Sequence, residues 1–192
     1  MKKILLINGH PLKNGTNATL LEHYLKGLHE RSDVEIRTVW VTDLPMEKFL
    51  RVNYYEKKDT DPVIQEQQEN ILWADHIVMF HPVWWGSLPS LFKAYIENVF
   101  TSGFAFKYNN GRPTGLLSGK TSHIITTCDT PPWIYRYFFL SPSVNELKNR
   151  TLEFCAIKVT KVFVFGSVIS SSDETKNTWF KKVYTLGKNL SQ

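Results

Sequence analysis
The chain of 192 residues is poor in several features that would settle its class at once. It has two cysteines, Cys128 and Cys155, in no metal-binding or redox spacing, so a disulfide-built miniprotein is excluded and two buried, reduced thiols are expected. No apolar run approaches the ~18 residues that span a bilayer, and Ile4 to Ile7 is too short for a signal-peptide core. A cytoplasmic protein without membrane insertion is expected. Glycine is missing where a dinucleotide fingerprint needs it, because Gly9 and Gly15 are too far apart for G-x-G-x-x-G. Gly119-Lys120-Thr121 imitates the end of a phosphate loop, but Thr114 stands where the first glycine belongs and the segment leads into a strand. There is no G-x-S-x-G elbow, and the six histidines show no ligand spacing, so no metal is expected. An acidic excess is absent too. The net charge of +5 is spread along the chain, as at Lys57-Lys58 and Lys181-Lys182, and reads as a solvated surface without nucleic-acid binding.

What the chain does have is aromatic residues: 12 Phe, 6 Trp and 8 Tyr, 14% of the total, enough to prompt a search for a flat ligand. Strand-like and helix-like stretches alternate along it. Apolar or β-branched runs at Lys3–Asn8, Val34–Trp40, His76–His81, Lys120–Cys128 and Val159–Gly166 read as strands buried on both faces. Between them, helical patterns run from Ala18 to Leu28, Pro62 to Trp73, Leu88 to Phe100 and Ser143 to Phe154, with a closing helix from Asp173 to Leu190. Asp43 to Asp61 is irregular and is expected to hold a short helix or a binding loop. Thr101–Ser118 is rich in glycine and aromatics, and Asp129–Pro142 reads as an aromatic loop. His76 and His81 flank the third strand and are expected to be hydrogen-bonded structural residues. The alternation predicts one α/β domain over residues 1–192, a parallel five-stranded sheet in order 2-1-3-4-5 with helices on both faces. Ligands of such sheets lie beyond the carboxyl ends of the strands, where the order reverses.

Three loops reach that edge. The first, Gly9 to Ala18, ends at a helix N-terminus that favours an anion, with His10, Thr16 and Asn17 as further donors. The second, Pro82-Val83-Trp84-Trp85-Gly86-Ser87, carries two adjacent tryptophans, of which one is expected to pack inward while the other lines the cleft. The N–H groups of residues 84 to 86 would face a ligand edge, and Gly86 permits close approach. The third loop brings Thr126, Thr127, Cys128 and Asp129 to the same place. A phosphate cradle, a flat aromatic wall and a row of backbone donors together describe a flavin site.

These segments resemble the NAD(P)H:quinone oxidoreductase branch of the flavodoxin-like fold, a three-layer sandwich. The resemblance rests on Gly9-His10-Pro11 with Asn17, on Ala74-Asp75, and on Pro82-Val83-Trp84-Trp85-Gly86-Ser87-Leu88-Pro89. It continues through Lys93, Val99-Phe100, Gly103-Phe104-Ala105-Phe106, Thr126-Thr127 and Leu152-Glu153-Phe154-Cys155. It implies that His10, Thr16, Asn17 and Ala18 hold flavin phosphates and that residues 82 to 86 and 126 to 129 contact the isoalloxazine ring. FAD is favoured over FMN, with NADPH or NADH as donor and a homodimer with sites at its interface. Three departures stand out: Gly15 where the family often has Ser, Cys128-Asp129 in place of a glycine pair, and Tyr135 one position from the family's active-site Tyr. The expected reaction is two-electron (hydride) reduction of quinones or nitro- and azo-aromatics, donor and acceptor using one pocket in turn with ping-pong kinetics. Phe104, Phe106, Trp133 and Tyr135 would wall that pocket, and Tyr135 would donate a hydrogen bond to a quinone oxygen. Two other classes share this fold: an ancillary flavoprotein subunit of a membrane transporter and a flavodoxin-type electron carrier. Carriers are usually strongly acidic, which the charge of +5 opposes.

Overall fold
The computed structural model describes residues 1–46 and 61–190. Most of the segment Asp43 to Asp61, including any helix within it, lies outside the described residues. The described elements are β1 (Lys2–Asn8), α1 (Thr16–His29), β2 (Val34–Trp40), α2 (Pro62–Trp73), β3 (His76–Pro82) and α3 (Ser90–Val99). They continue with β4 (Phe106–Asn109), β5 (Arg112–Gly115), β6 (Thr121–Thr127), α4 (Pro132–Tyr137), α5 (Pro142–Leu147), β7 (Lys158–Phe165) and α6 (Asp173–Lys188). The main sheet runs β2-β1-β3-β6-β7, all pairs parallel, which is the predicted order of the five long strands.

The sheet is central because its inner strands are apolar on both faces. Ile4, Leu5, Leu6 and Ile7 are each 0% exposed, and each full burial contributes about 1.5–3 kcal/mol. Alternation divides them: Leu5, Ile7, Ile77, Met79 and Ile124 join α2 and α3 on one face. Ile4, Leu6, Val78, Phe80 and Ile125 meet α1 and α6 on the other. Helix α2 begins where proline was expected at a first turn, with the Asp61 carboxylate accepting from the Val63 N–H. On the opposite face α1 and α6 touch through their backbones. A Cβ on Gly27 would lie 2.1 Å from the Tyr184 carbonyl, and one on Gly187 would lie 2.3 Å from that of Tyr24.

Three local features differ from the sequence expectation. The glycine-rich stretch after α3 contains the antiparallel hairpin β4–β5, turned by Asn110 and Gly111 at φ +49° and +76°. The aromatic loop contains the short helix α4. The helix expected over 143–154 is α5 followed by a π-helical turn, Lys148–Leu152. Both cysteines are free and buried. Among the described residues no helix is long and apolar enough to cross a membrane.

Beneath α1, at the amino ends of β3 and β6, His76 and His123 meet edge to face at 4.4 Å. His76 Nδ1 is 2.7 Å from the Thr121 hydroxyl, and His123 Nδ1 is 3.0 Å from that of Tyr24. Burial, then the charges of His123 and Lys2, push His76 down to about 2, and burial with Lys161 and Lys2 pushes His123 down to about 4. The folded chain therefore keeps both rings neutral at pH values where the unfolded chain binds protons. Their contribution is complete above the ordinary histidine value near 6.5 and is lost as pH falls towards 4. Each histidine should remove about 1.4 kcal/mol per pH unit in that window, measurable as a falling urea midpoint between pH 6.5 and 4.5. Gly27→Ala supplies a second check. Helix propensity alone would stabilise it by about 1 kcal/mol, but separating two backbones in contact costs about 1–3 kcal/mol. A net drop in urea midpoint is expected.

Candidate functional site
The first loop leaves the sheet under tight control. Gly9 N–H donates to the Phe80 carbonyl at 2.8 Å, and a Cβ on Gly9 would overlap the Phe92 ring at 2.2 Å. Asn8 folds its side chain over the turn, Oδ1 accepting from the His10 N–H at 2.8 Å. The His10 ring is held by its own loop, with Nδ1 2.9 Å from Leu12 N and 3.0 Å from Leu12 O, and its edge meets Trp84 at 6.0 Å. Helix α1 then starts from Gly15 at φ +93°, with no side-chain cap and no acidic residue in its first turn. Its leading N–H groups form a positive end that no carboxylate of this turn offsets. Asn17, 2% exposed, donates through Nδ2 to the Thr127 hydroxyl at 2.6 Å and so ties the first loop to the third. Asn17 Oδ1 and Asn8 Nδ2 are buried with no partner among the described residues. Natively orphaned groups of this kind mark a place for another polar molecule. The Ala18 side chain is buried, so only its backbone serves the cradle.

The second loop is a tight turn. Val83 N–H bonds to Thr127 O at 2.7 Å, and Trp84 and Ser87 exchange both backbone bonds at 3.0 Å. The central residues Trp85 and Gly86 have φ +51° and +78°, nearly the values of Asn110 and Gly111 in the hairpin. That is the geometry of a two-residue turn that favours Asn-Gly, and a tryptophan in its first position stores about 1–3 kcal/mol. Neither indole packs inward, contrary to expectation: Trp84 is 45% exposed and Trp85 fully so, because the turn lifts both off the sheet end. The Trp84 N–H is consumed by Ser87, so the donors the turn leaves over are those of residues 85 and 86.

Beside this turn lies an open cavity of about 500 Å³ whose lining includes Val83, Trp85, Gly86, Cys128, Asp129 and Tyr135. The Asp129 carboxylate accepts from the Ile169 N–H at 3.1 Å and steadies the loop after β7. Cys128 donates its thiol to Thr130 O at 3.2 Å, and burial raises it to about 11. Pro82 and Thr126 are buried strand residues, and Thr126 places its hydroxyl 3.4 Å from His81 Nδ1. His76 and His81 thus both take hydrogen-bonded structural positions. Tyr135 lines this cavity, but its hydroxyl is not the free donor expected from the sequence. Its ring belongs to a small core with Cys128 and Val144, and its hydroxyl is 2.7 Å from the Ser143 hydroxyl, turned inward. Trp133 is 60% exposed and lines neither cavity.

Phe104 and Phe106 stand elsewhere. Phe104 packs on the α2–α3 core. Phe106 lines a second cavity of about 430 Å³ with Tyr108, Phe154, Lys93, Glu146 and Arg150. Tyr108 sits two residues along the same strand as Phe106, a same-face spacing that could have revealed it. Nothing in the sequence announces that the Ser87 hydroxyl donates to Glu146, 59 positions away, at 2.6 Å.

The pattern of the family described as having the flavodoxin-like fold matches residues 2–183. A relative from Haemophilus influenzae, named an uncharacterized NAD(P)H oxidoreductase, is 32% identical over 59% of this chain and 56% of its own. An FMN-dependent NADH:quinone oxidoreductase of Staphylococcus haemolyticus is 31% identical over 62% of this chain and 65% of its own. The chain thus spans less than two thirds of the length of these curated relatives. A crystal structure of a Streptococcus mutans protein superposes with TM-score 0.87 at 28% identity, covering 97% of this chain and 99% of that one. With 182 of 192 residues inside the family pattern and the same strand order in the sheet, the chain belongs to the flavodoxin-like fold family.

Proposed function
We propose that this chain is a flavin-dependent NAD(P)H oxidoreductase that reduces quinones and related flat aromatic acceptors by two electrons. The observation that carries the proposal is a convergence at one sheet edge: an uncapped helix N-terminus, two buried amides that each leave one polar atom unpaired, and a left-handed turn bearing two exposed indoles. The residues fit the flavin that such chemistry needs. His10, Thr16 and Asn17, with the leading N–H groups of α1, would hold its phosphate. The N–H groups of Trp85 and Gly86, with Val83 and residues 127 to 129, would hold the ring edge. When bound, the flavin supplies the two-electron chemistry, and the protein supplies position and electrostatics. The sequence resemblance favours FAD, whereas the Staphylococcus relative is named FMN-dependent; the cradle described above recognises the phosphate and ring common to both.

Within one chain, Phe106 and the Trp85–Tyr135 cavity do not meet. A homodimer in which each copy brings its Phe106 cavity to the other's sheet edge would complete one aromatic pocket. The exposed Trp133, Tyr137, Phe138, Phe139 and Leu140 support such a covering, since large exposed apolar patches mark interfaces. With Tyr135 turned inward, the acceptor's proton is assigned to solvent.

The purified protein should be yellow, or become so with FMN or FAD, bleach anaerobically with NADH or NADPH, and recover on adding menadione. Parallel double-reciprocal lines would mark alternating use of one pocket. Failure to bind either flavin after reconstitution would overturn the proposal. Asn17→Ala should weaken flavin binding about tenfold and lower stability by about 1–3 kcal/mol, because it removes a buried bond between two loops. Flavin fluorescence titration and urea denaturation measure the two effects.

A further inference from the structure
The Trp84–Ser87 turn has little packing of its own. Trp85 is fully exposed and Trp84 nearly half exposed, yet the turn keeps a tryptophan at φ +51°. Helix α5 faces it with one side. Pro142 lines the same cavity as Gly86, and four residues on Glu146 Oε2 accepts the Ser87 hydroxyl at 2.6 Å. Residues four apart share a helix face, so both stand on one side of α5. The other oxygen, Glu146 Oε1, is 2.9 Å from Lys93 Nζ on α3. Lys93 also approaches Glu97 at 3.7 Å. The Glu146 side chain is 26% exposed, so water screens these contacts only partly. Burial opposes its ionisation, but Ser87, Lys93 and the nearby His81 outweigh that and hold the carboxyl below its ordinary value. Lys93 and Glu146 also line the second cavity. One carboxylate therefore touches the turn beside the first cavity and the wall of the second.

We infer that Glu146 is a positioning residue: through Ser87 and Lys93 it fixes the Trp85–Gly86 turn on which the ring edge of the flavin is to lie. The inference rests on the flavin reading for its purpose and on the apoprotein for its geometry. Without the carboxylate the turn keeps its own backbone pair, the Val83 bond and the ring contact of Trp84 with His10, but loses its hydrogen bond to α5, and its free N–H groups lose their fixed direction.

The test pairs amide NMR of the apoprotein with FMN and FAD titrations. Ser87→Ala and Glu146→Ala should each shift the Trp85 and Gly86 amides and weaken flavin binding about tenfold, while the amides of the sheet core keep their wild-type positions. The double variant should be no weaker than Glu146→Ala alone, since that change already removes the Ser87 link. Ser87→Thr, which keeps the hydroxyl, should restore amide positions and affinity. Wild-type amides and affinity in Ser87→Ala would overturn the inference, and that variant decides the matter even if Glu146→Ala fails to fold. If the wild-type protein binds neither flavin, the flavin reading falls, while the amide comparison still decides whether Glu146 sets the turn.

Discussion

The parallel pairing of β1 with β3 is the constraint on which the rest of this molecule depends. Both strands are buried on both faces, and their register sets Asn8 beside Phe80. The chain order reverses at this pair: β1 passes to β2 on one side, while β3 leads towards β6 on the other. The first and second site loops therefore leave the sheet side by side, and the third follows one strand over. Gly9 must come close enough to touch the Phe92 ring for the first loop to clear α3. Shifting either strand by one residue would exchange the two cores and carry every site loop with it.

Much of this was legible in the sequence because burial writes itself as pattern. Four consecutive apolar residues at Ile4 to Ile7, and the run from His76 to His81, are consistent with strands covered on both sides. Three such runs and two weaker ones, with right-handed crossovers, restrict the order to two common solutions, of which the sheet shows 2-1-3-4-5. The helix N-terminus at Thr16 and the bond between Asn17 and the third loop agree with the residues singled out there. The hairpin β4–β5 also carries its own signal, Asn110-Gly111 between alternating residues, which the glycine and aromatic content of that stretch obscured.

Other parts were not legible, for identifiable physical reasons. Adjacent residues of a strand point to opposite faces, which suggests one inward and one outward tryptophan at Trp84-Trp85. The chain has already left the sheet there, and a left-handed turn exposes both. The direction of the Tyr135 hydroxyl depends on Ser143, eight residues on across a kink where Leu140 and Ser141 have positive φ. The bond from Ser87 to Glu146 joins elements that only the tertiary fold brings together. Pattern reports burial and periodicity, whereas these side-chain directions follow from irregular backbone.

Cys128 has a further consequence for the chemistry of the cavity wall. Sulfur is attacked as the thiolate, and a thiol raised to about 11 is ionised only about once in ten thousand at neutral pH. Its hydrogen goes to the Thr130 carbonyl, and only 6% of the residue meets solvent. The cavity wall thus contains sulfur that is chemically quiet, where an exposed and ionised cysteine would climb towards sulfenic and sulfinic acids. For the oxidoreductase proposed above such a lining would be durable: electrons would pass beside this residue many times without the protein recording their passage as damage.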